Sequence, residues 1–168
     1  MKKIAIIGSC GAGKSTLAHQ LGELLDIEVI HLDSFYWKPG WVATPKNEWK
    51  NTVEGLVKRE SWIIDGNYNS TIDIRLNAAD TIIFLDFSRT VCLWRVIKRR
   101  LQYAGKSRPD MASGCLERVT WSLIQWVWSY PVHSRPNILQ KLDEYVDSKK
   151  IFILQSLSEV GHFLQDIG

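Results

Sequence analysis

Five short apolar runs, Ile4–Ile7, Glu28–Leu32, Trp62–Ile64, Thr81–Leu85 and Ile151–Leu154, are separated by stretches whose apolar residues return every three or four positions. Strand-length runs alternating with helix-spaced segments predict an α/β domain built on a parallel sheet. Each run is nearly continuous in hydrophobicity, as a strand must be when helices cover both faces of its sheet. Repeats and low-complexity tracts are absent, and the prolines fall into two clusters, Pro39/Pro45 and Pro109/Pro131/Pro136, that mark loops or insertions. The 168 residues are therefore read as a single domain spanning 1–168. A chain of this length buries about 70% of its unfolded surface, enough for a core without disulfides or a structural metal.

Composition narrows the class. The 21 basic and 18 acidic residues leave a formal charge of +3, too mild a balance to select nucleic acid as a partner. Cys10, Cys92 and Cys115 are odd in number and far apart, which argues against a disulfide framework and for a reducing compartment. The run Ile4–Ile7 is too short for a secretory segment. The stretch from Val119 to Tyr130 falls well below the roughly 20 apolar residues that a bilayer requires. A cytoplasmic protein with no membrane partner is expected.

The chemistry is concentrated after the first run. Gly8-Ser9-Cys10-Gly11-Ala12-Gly13-Lys14-Ser15 fits G-x-x-x-x-G-K-[ST], with a strand before it and a helical pattern after it. In such a phosphate-binding loop the glycines let successive N–H groups point inward at the positive end of the next helix. Backbone amides from Ser9 to Thr16 are expected to cradle a triphosphate, with Lys14 supplying mobile positive charge and Ser15 a hydroxyl for Mg²⁺. ATP and Mg²⁺ are thus the expected cofactors.

The acceptor must be read from other strand ends, because ligands of open α/β sheets sit beyond the carboxyl ends of the strands. Asp33, Asp65 and Asp86 each follow one of the apolar runs. Asp33-Ser34-Phe35-Tyr36 is similar to the segment of uridine-kinase-like enzymes whose carboxylate contacts the accepting hydroxyl, and an N-cap of the following helix is weighted equally. All three could face the γ-phosphate region; the family resemblance given below ranks Asp65 above Asp86 for Mg²⁺, with Asp86 read as the cap of a helix starting near Ser88. Tyr36, Trp37 and Trp41 form either an aromatic wall for a planar acceptor or part of the core. From Arg89 to Arg108 there are seven basic residues and no acid; within this stretch Arg95 and Arg99, four apart, share a helix face. Three tryptophans, Trp121, Trp126 and Trp128, lie in a segment apolar nearly all round, which predicts a helix buried on more than one side.

The P-loop, Asp33-Ser34-Phe35-Tyr36, Ile64-Asp65-Gly66 and the Arg-rich run Leu93–Arg100 together resemble the nucleoside and nucleotide kinase branch of P-loop proteins. More closely, His31-Leu32-Asp33, Tyr36-Trp37-Lys38-Pro39-Gly40-Trp41, Asp65-Gly66-Asn67-Tyr68 and Arg108-Pro109-Asp110 resemble the bacterial adenylate-kinase-related DNA topology modulation proteins. The resemblance implies a three-layer α/β/α fold with a five-stranded parallel sheet in the order 2-3-1-4-5. It implies a helical, Arg-rich lid over approximately 101–136, with Arg108, Arg118 and Arg135 as lid contributors. Asp65 then ends the third strand and holds Mg²⁺ through water, Asp33 orients the acceptor, and Arg95 and Arg99 grip the transferring phosphates. Adenylate kinases carry Asp-Gly-Phe-Pro-Arg after the third strand, where this chain has Asn67-Tyr68-Asn69, so AMP is disfavoured unless Arg75 substitutes.

The function expected is phosphoryl transfer from Mg-ATP to a small acceptor, a nucleoside or nucleotide, by a monomer or homodimer. The alternative is an ATP-binding regulator of DNA topology with little kinase activity; nucleic acid is the less favoured partner.

Overall fold

In a computed structural model that describes residues 1–105, 110–111 and 114–168, the chain opens with β1 (Lys3–Gly8), the P-loop and α1 (Lys14–Leu25). It continues through β2 (Val29–His31), α2 (Leu32–Tyr36), a hairpin of β3 (Trp37–Lys38) and β4 (Val42–Ala43), and α3 (Lys46–Leu56). Then follow β5 (Trp62–Asp65), a 3-10 turn at Asn69–Thr71, α4 (Ile72–Ala78), β6 (Thr81–Leu85) and α5 (Arg89–Gln102). The remainder is α6 (Trp121–His133), α7 (Arg135–Asp143), β7 (Lys150–Leu154) and α8 (Leu157–Ile167).

The main sheet has five parallel strands in the order β2-β5-β1-β6-β7. With the hairpin strands set aside and the sheet strands counted along the chain, this is the expected 2-3-1-4-5. The five apolar runs each became a sheet strand. The β3–β4 hairpin was not expected, because two residues per strand leave no periodicity to read.

Alternation along the strands feeds two apolar layers. Ala5, Ile7, Ile64 and Phe84 point to the side covered by Trp49 and Val53 of α3, Leu76 of α4 and Ile138 of α7. Ile4, Ile6, Ile63 and Ile83 point to the side covered by Leu17 and Leu21 of α1, Val96 of α5 and Phe163 of α8. Both layers are dry at the sheet, where Ile4 to Ile7 and Ile82 to Phe84 have no exposure. Such a platform fixes the carboxyl ends of β1, β2 and β5, which carry the candidate site.

Two expectations are corrected. Helix α6 does touch both layers, through Val127 and Tyr130. Yet Trp121, Trp128 and Val132, spaced seven and four apart, are exposed, Trp121 by 71%. The helix is therefore buried on its inner side and open on its outer one. Asp86 does not cap α5, whose N-cap is Ser88 with no side-chain hydrogen bond. Its carboxylate instead accepts from Arg135 Nε and Nη2 at 2.8 and 2.9 Å and from Gln155 Nε2 at 3.0 Å. Arg135, expected as a lid arginine, is the other half of that clamp and joins the start of α7 to the end of β6.

Candidate active site

A cleft of about 1150 Å³ opens over the carboxyl ends of β1, β2 and β5, between the P-loop, α5 and the β3–β4 hairpin. The P-loop can close its turn only because of two glycines in left-handed backbone. Gly11 has φ +81°, and a Cβ there would lie 2.3 Å from the carbonyl oxygen of Cys92 on α5. Gly13, at φ +101°, is the N-cap of α1 and turns the chain into that helix. The loop is thereby pressed against α5. From α5, Arg95 donates to the Ala12 carbonyl at 3.0 Å and lies 4.7 Å over the Phe87 ring. Lys14 Nζ rests on the Ser9 carbonyl at 2.9 Å.

Arg99, one turn further, donates from Nε to Glu117 Oε1 at 2.9 Å and from Nη2 to the Cys10 sulfur at 3.5 Å. Burial opposes its charge, but Cys10 and Glu117 outweigh that and hold its pKa above the ordinary arginine value. Arg95 and Arg99 thus reach the P-loop from one helix face, as their spacing implied. Arg118 lies 4.4 Å over the Trp41 ring on the hairpin side. Lys106 and Arg108 lie outside the described residues.

Asp65, 4% exposed, ends β5 directly beside β1. Its Oδ2 is 2.8 Å from Ser15 Oγ, and its Oδ1 is 2.7 Å from His31 Nδ1. Asp110 brings a second carboxylate oxygen to Ser15 Oγ, at 2.9 Å. Burial works against a charged His31. Hydrogen bonding to Asp65 and the charges of Asp65, Asp110 and Asp33 prevail, so its pKa is raised. Asp65 thus bridges Ser15 and His31. A hydroxyl and carboxylate oxygens at hydrogen-bond separation are hard donors that suit Mg²⁺, which binds through few protein oxygens and several waters. The hydroxyl of Ser15 and the carboxylate of Asp65 are donors of the kind that ion takes, and these two residues could hold it.

Asp33 lies in the first turn of α2 but makes no capping bond, since His31 is the N-cap position. Its Oδ1 accepts the Tyr68 hydroxyl at 2.5 Å. Burial first, then the charge of and hydrogen bond to Asp33, push the Tyr68 phenol far above the ordinary tyrosine range, so it stays a donor. The Tyr68 ring is fixed by Tyr36 at 4.6 Å and Trp49 at 4.9 Å between centroids. Trp37 and Trp41, 5.3 Å apart, line the cleft beyond it while Trp49 is core, so the aromatic residues serve as wall and core together. The hairpin is held in place by Trp41 Nε1 donating to the Leu116 carbonyl at 3.0 Å. Trp41 itself is left-handed, at φ +64°.

Arg75 does not face the acceptor. It is fully buried and donates to the Gly66 and Tyr68 carbonyls at 2.8 and 3.1 Å, which pins the loop after β5. Burial pushes its pKa down to about 10, against the pull of Asp65, Tyr68 and Asp73. The suggested substitution for an AMP-gripping arginine is therefore overturned. Sequence reasoning also missed His31, Tyr68 and Asp110 as site residues. All three stand in the motifs that carry the resemblance, His31-Leu32-Asp33, Asp65-Gly66-Asn67-Tyr68 and Arg108-Pro109-Asp110, but their contacts are set only by tertiary folding.

No protein-family model matches the chain. An uncharacterized protein, YqaC of Bacillus subtilis, is 27% identical over 133 residues, covering 77% of this chain and 72% of that protein. Among solved structures, shikimate kinase from Acinetobacter baumannii in complex with shikimate superposes with a TM-score of 0.60 at 16% identity, over 99% of this chain and 90% of that one. A gluconokinase from Sinorhizobium meliloti gives 0.55 at 16%, over 99% and 89%. Deoxyadenosine kinase from M. mycoides gives 0.53 at 17%, over 98% and 97%. The chain has the fold of the P-loop kinases.

Proposed function

We propose that this protein is a Mg²⁺- and ATP-dependent kinase that transfers the γ-phosphoryl group to the hydroxyl of a small acceptor, a nucleoside or nucleotide. The observation that carries the reading is one continuous cleft with two unlike walls. Lys14, Ser15 and Asp65 line it at the P-loop, and Trp37, Trp41 and Asp33, which accepts the Tyr68 hydroxyl, line it elsewhere. That is the layout an in-line transfer needs, with the donor phosphate at a nest of amides and the acceptor at a carboxylate.

In this reading Lys14 leaves the Ser9 carbonyl to reach the β/γ oxygens. Mg²⁺, when bound, neutralises phosphate charge. Asp33 orients the acceptor hydroxyl and receives its proton as the oxygen attacks. Arg95 and Arg99 meet the charge that spreads over the equatorial oxygens. From the segment between α5 and α6, Asp110, Glu117 and Arg118 line the cleft. The kinase-fold neighbours support phosphoryl transfer as a class, and the acceptor is read from the aromatic wall.

The test is consumption of Mg-ATP against separate pools of nucleosides, nucleoside monophosphates and small sugars or alcohols, with double-stranded DNA in its own reaction. A phosphorylated product from a nucleoside or nucleotide pool is expected, and Lys14→Ala should abolish it. ATP turnover stimulated only by DNA would instead select the regulator of DNA topology, and turnover in no reaction would reject transfer altogether.

A further inference from the structure

We infer that His31 is a positioning residue of this site, whose Nδ1–H holds one oxygen of Asp65 and so keeps the other turned to Ser15, where the divalent cation is read to bind. The inference rests on the Mg-ATP reading above and adds a residue from outside the P-loop motif. Asp65 is engaged at both ends of its carboxylate. Its Oδ1 lies 2.7 Å from His31 Nδ1, and its Oδ2 lies 2.8 Å from Ser15 Oγ. A carboxylate oxygen only accepts, so the Nδ1 that meets it carries a hydrogen in the neutral ring and in the imidazolium alike. The contact therefore does not depend on the charge of the imidazole.

The fold prepares both partners. His31 and Asp65 are paired residues at the ends of the neighbouring parallel strands β2 and β5. Ser34 Oγ donates to the His31 carbonyl at 2.7 Å, which fixes the turn from β2 into α2. Arg75, the buried cation whose charge reaches Asp65, donates to the Gly66 and Tyr68 carbonyls instead. Ser15 offers its own oxygen to the ion, whereas His31 acts on it through Asp65. A group that hydrogen-bonds a ligating carboxylate sets the direction of that ligand and raises metal affinity. His31 also stands two positions before Asp33, so one strand-to-helix turn carries the acceptor's carboxylate and the restraint on Asp65.

Two amides imitate different nitrogens of the ring. The side-chain nitrogen of Asn is bonded to Cγ, as Nδ1 is, whereas that of Gln lies one bond further out, at the reach of Nε2. Mn²⁺ serves as a paramagnetic probe. Its electron paramagnetic resonance signal is titrated with ADP-loaded wild type, His31→Asn, His31→Gln and His31→Leu, and ADP affinity without metal is measured by calorimetry in chelator. His31→Leu and His31→Gln should weaken Mn²⁺ by about 10-fold or more, the range found for groups that orient metal ligands. His31→Asn, which keeps a donor at the Nδ1 position, should retain most of the wild-type affinity. Metal-free ADP affinity should be the same in all four proteins, because the P-loop amides are untouched. Equal Mn²⁺ losses in the three variants would reduce His31 to a packing residue and overturn the inference. Retention in His31→Gln beside a loss in His31→Asn would move the role to Nε2 and overturn it as well. Unchanged Mn²⁺ binding in all three would overturn it and leave the kinase reading intact. Absence of Mn²⁺ binding in ADP-loaded wild type would instead reject the Mg-ATP reading itself.

Discussion

Asp33 acts, in the proposed function, through an oxygen whose direction Tyr68 decides. The phenol is held at its ring by Tyr36 and Trp49 and at its backbone by Arg75, so its hydroxyl meets Asp33 Oδ1 in one geometry. Tyr68→Phe deletes only the hydroxyl and leaves the ring packing in place. It should lower kcat by about 10-fold, the scale of one hydrogen bond to a charged group, with KM for Mg-ATP unchanged. In an Asp33→Ala background the same change should cost nothing further, because a residue that acts through a partner has no effect once that partner is gone. Steady-state kinetics of the four proteins checks both statements; additive losses would place Tyr68 in a separate role. The P-loop glycines give a second contrast at this scale. Gly11→Ala drives a Cβ to 2.3 Å from a backbone oxygen, whereas at Gly13 the nearest atom is the Arg95 guanidinium at 3.7 Å. Both substitutions strain a left-handed residue, but the one at Gly11 should lower stability more, by about 2 kcal/mol or beyond, as chemical unfolding would register.

Elements are joined around the site by clamps that periodicity does not encode. Asp86 and Arg135 tie the end of β6 to the start of α7 through two parallel hydrogen bonds, with the Asp86 side chain only 6% exposed. Replacing Arg135 with Ala withdraws the guanidinium from a buried carboxylate and should destabilise the fold by about 2 to 3 kcal/mol while leaving KM for ATP unchanged. Thermal unfolding beside kinetics tests this; a raised KM with normal stability would restore Arg135 to the lid. The clamp also shows where sequence reading stops. The five sheet strands were legible because each is a continuous apolar run, and the P-loop because its glycines and lysine have fixed spacing. Asp86 and Arg135, 49 residues apart, carry no local signal of their pairing. The same is true of the Asp33–Tyr68 and Ser15–Asp110 contacts, at separations of 35 and 95 residues. Arg75 misled for a related reason: an arginine near a strand end reads as a ligand for anions, and only burial reveals that it holds two carbonyls. The hydrophobic pattern of α6 concealed its exposed outer stripe, since tryptophan counts as apolar whether or not anything covers it.

Across the whole molecule the cleft is the feature through which ligand, metal and lid reach the stability of the fold. A ligand that binds only the folded chain stabilises it by about 2.7 kcal/mol when present at 100 times its dissociation constant. For a domain of this size that corresponds to a rise in Tm of about 5 to 10 °C. Mg-ADP at such a concentration should produce that rise in wild type, and metal-free ADP a smaller one, because the Asp65 carboxylate beside Ser15 then meets the phosphates without a cation between them. Lys14→Ala should remove most of the shift in either case. Arg135→Ala should begin from a lower Tm yet show the full increment, since its clamp lies outside the cleft lining. Double-stranded DNA should add nothing at moderate salt. Differential scanning calorimetry with these three additions separates a nucleotide site built on the P-loop from a general anion surface on α5. A general surface would respond to DNA and ADP alike, lose both responses as salt rises, and be indifferent to Mg²⁺.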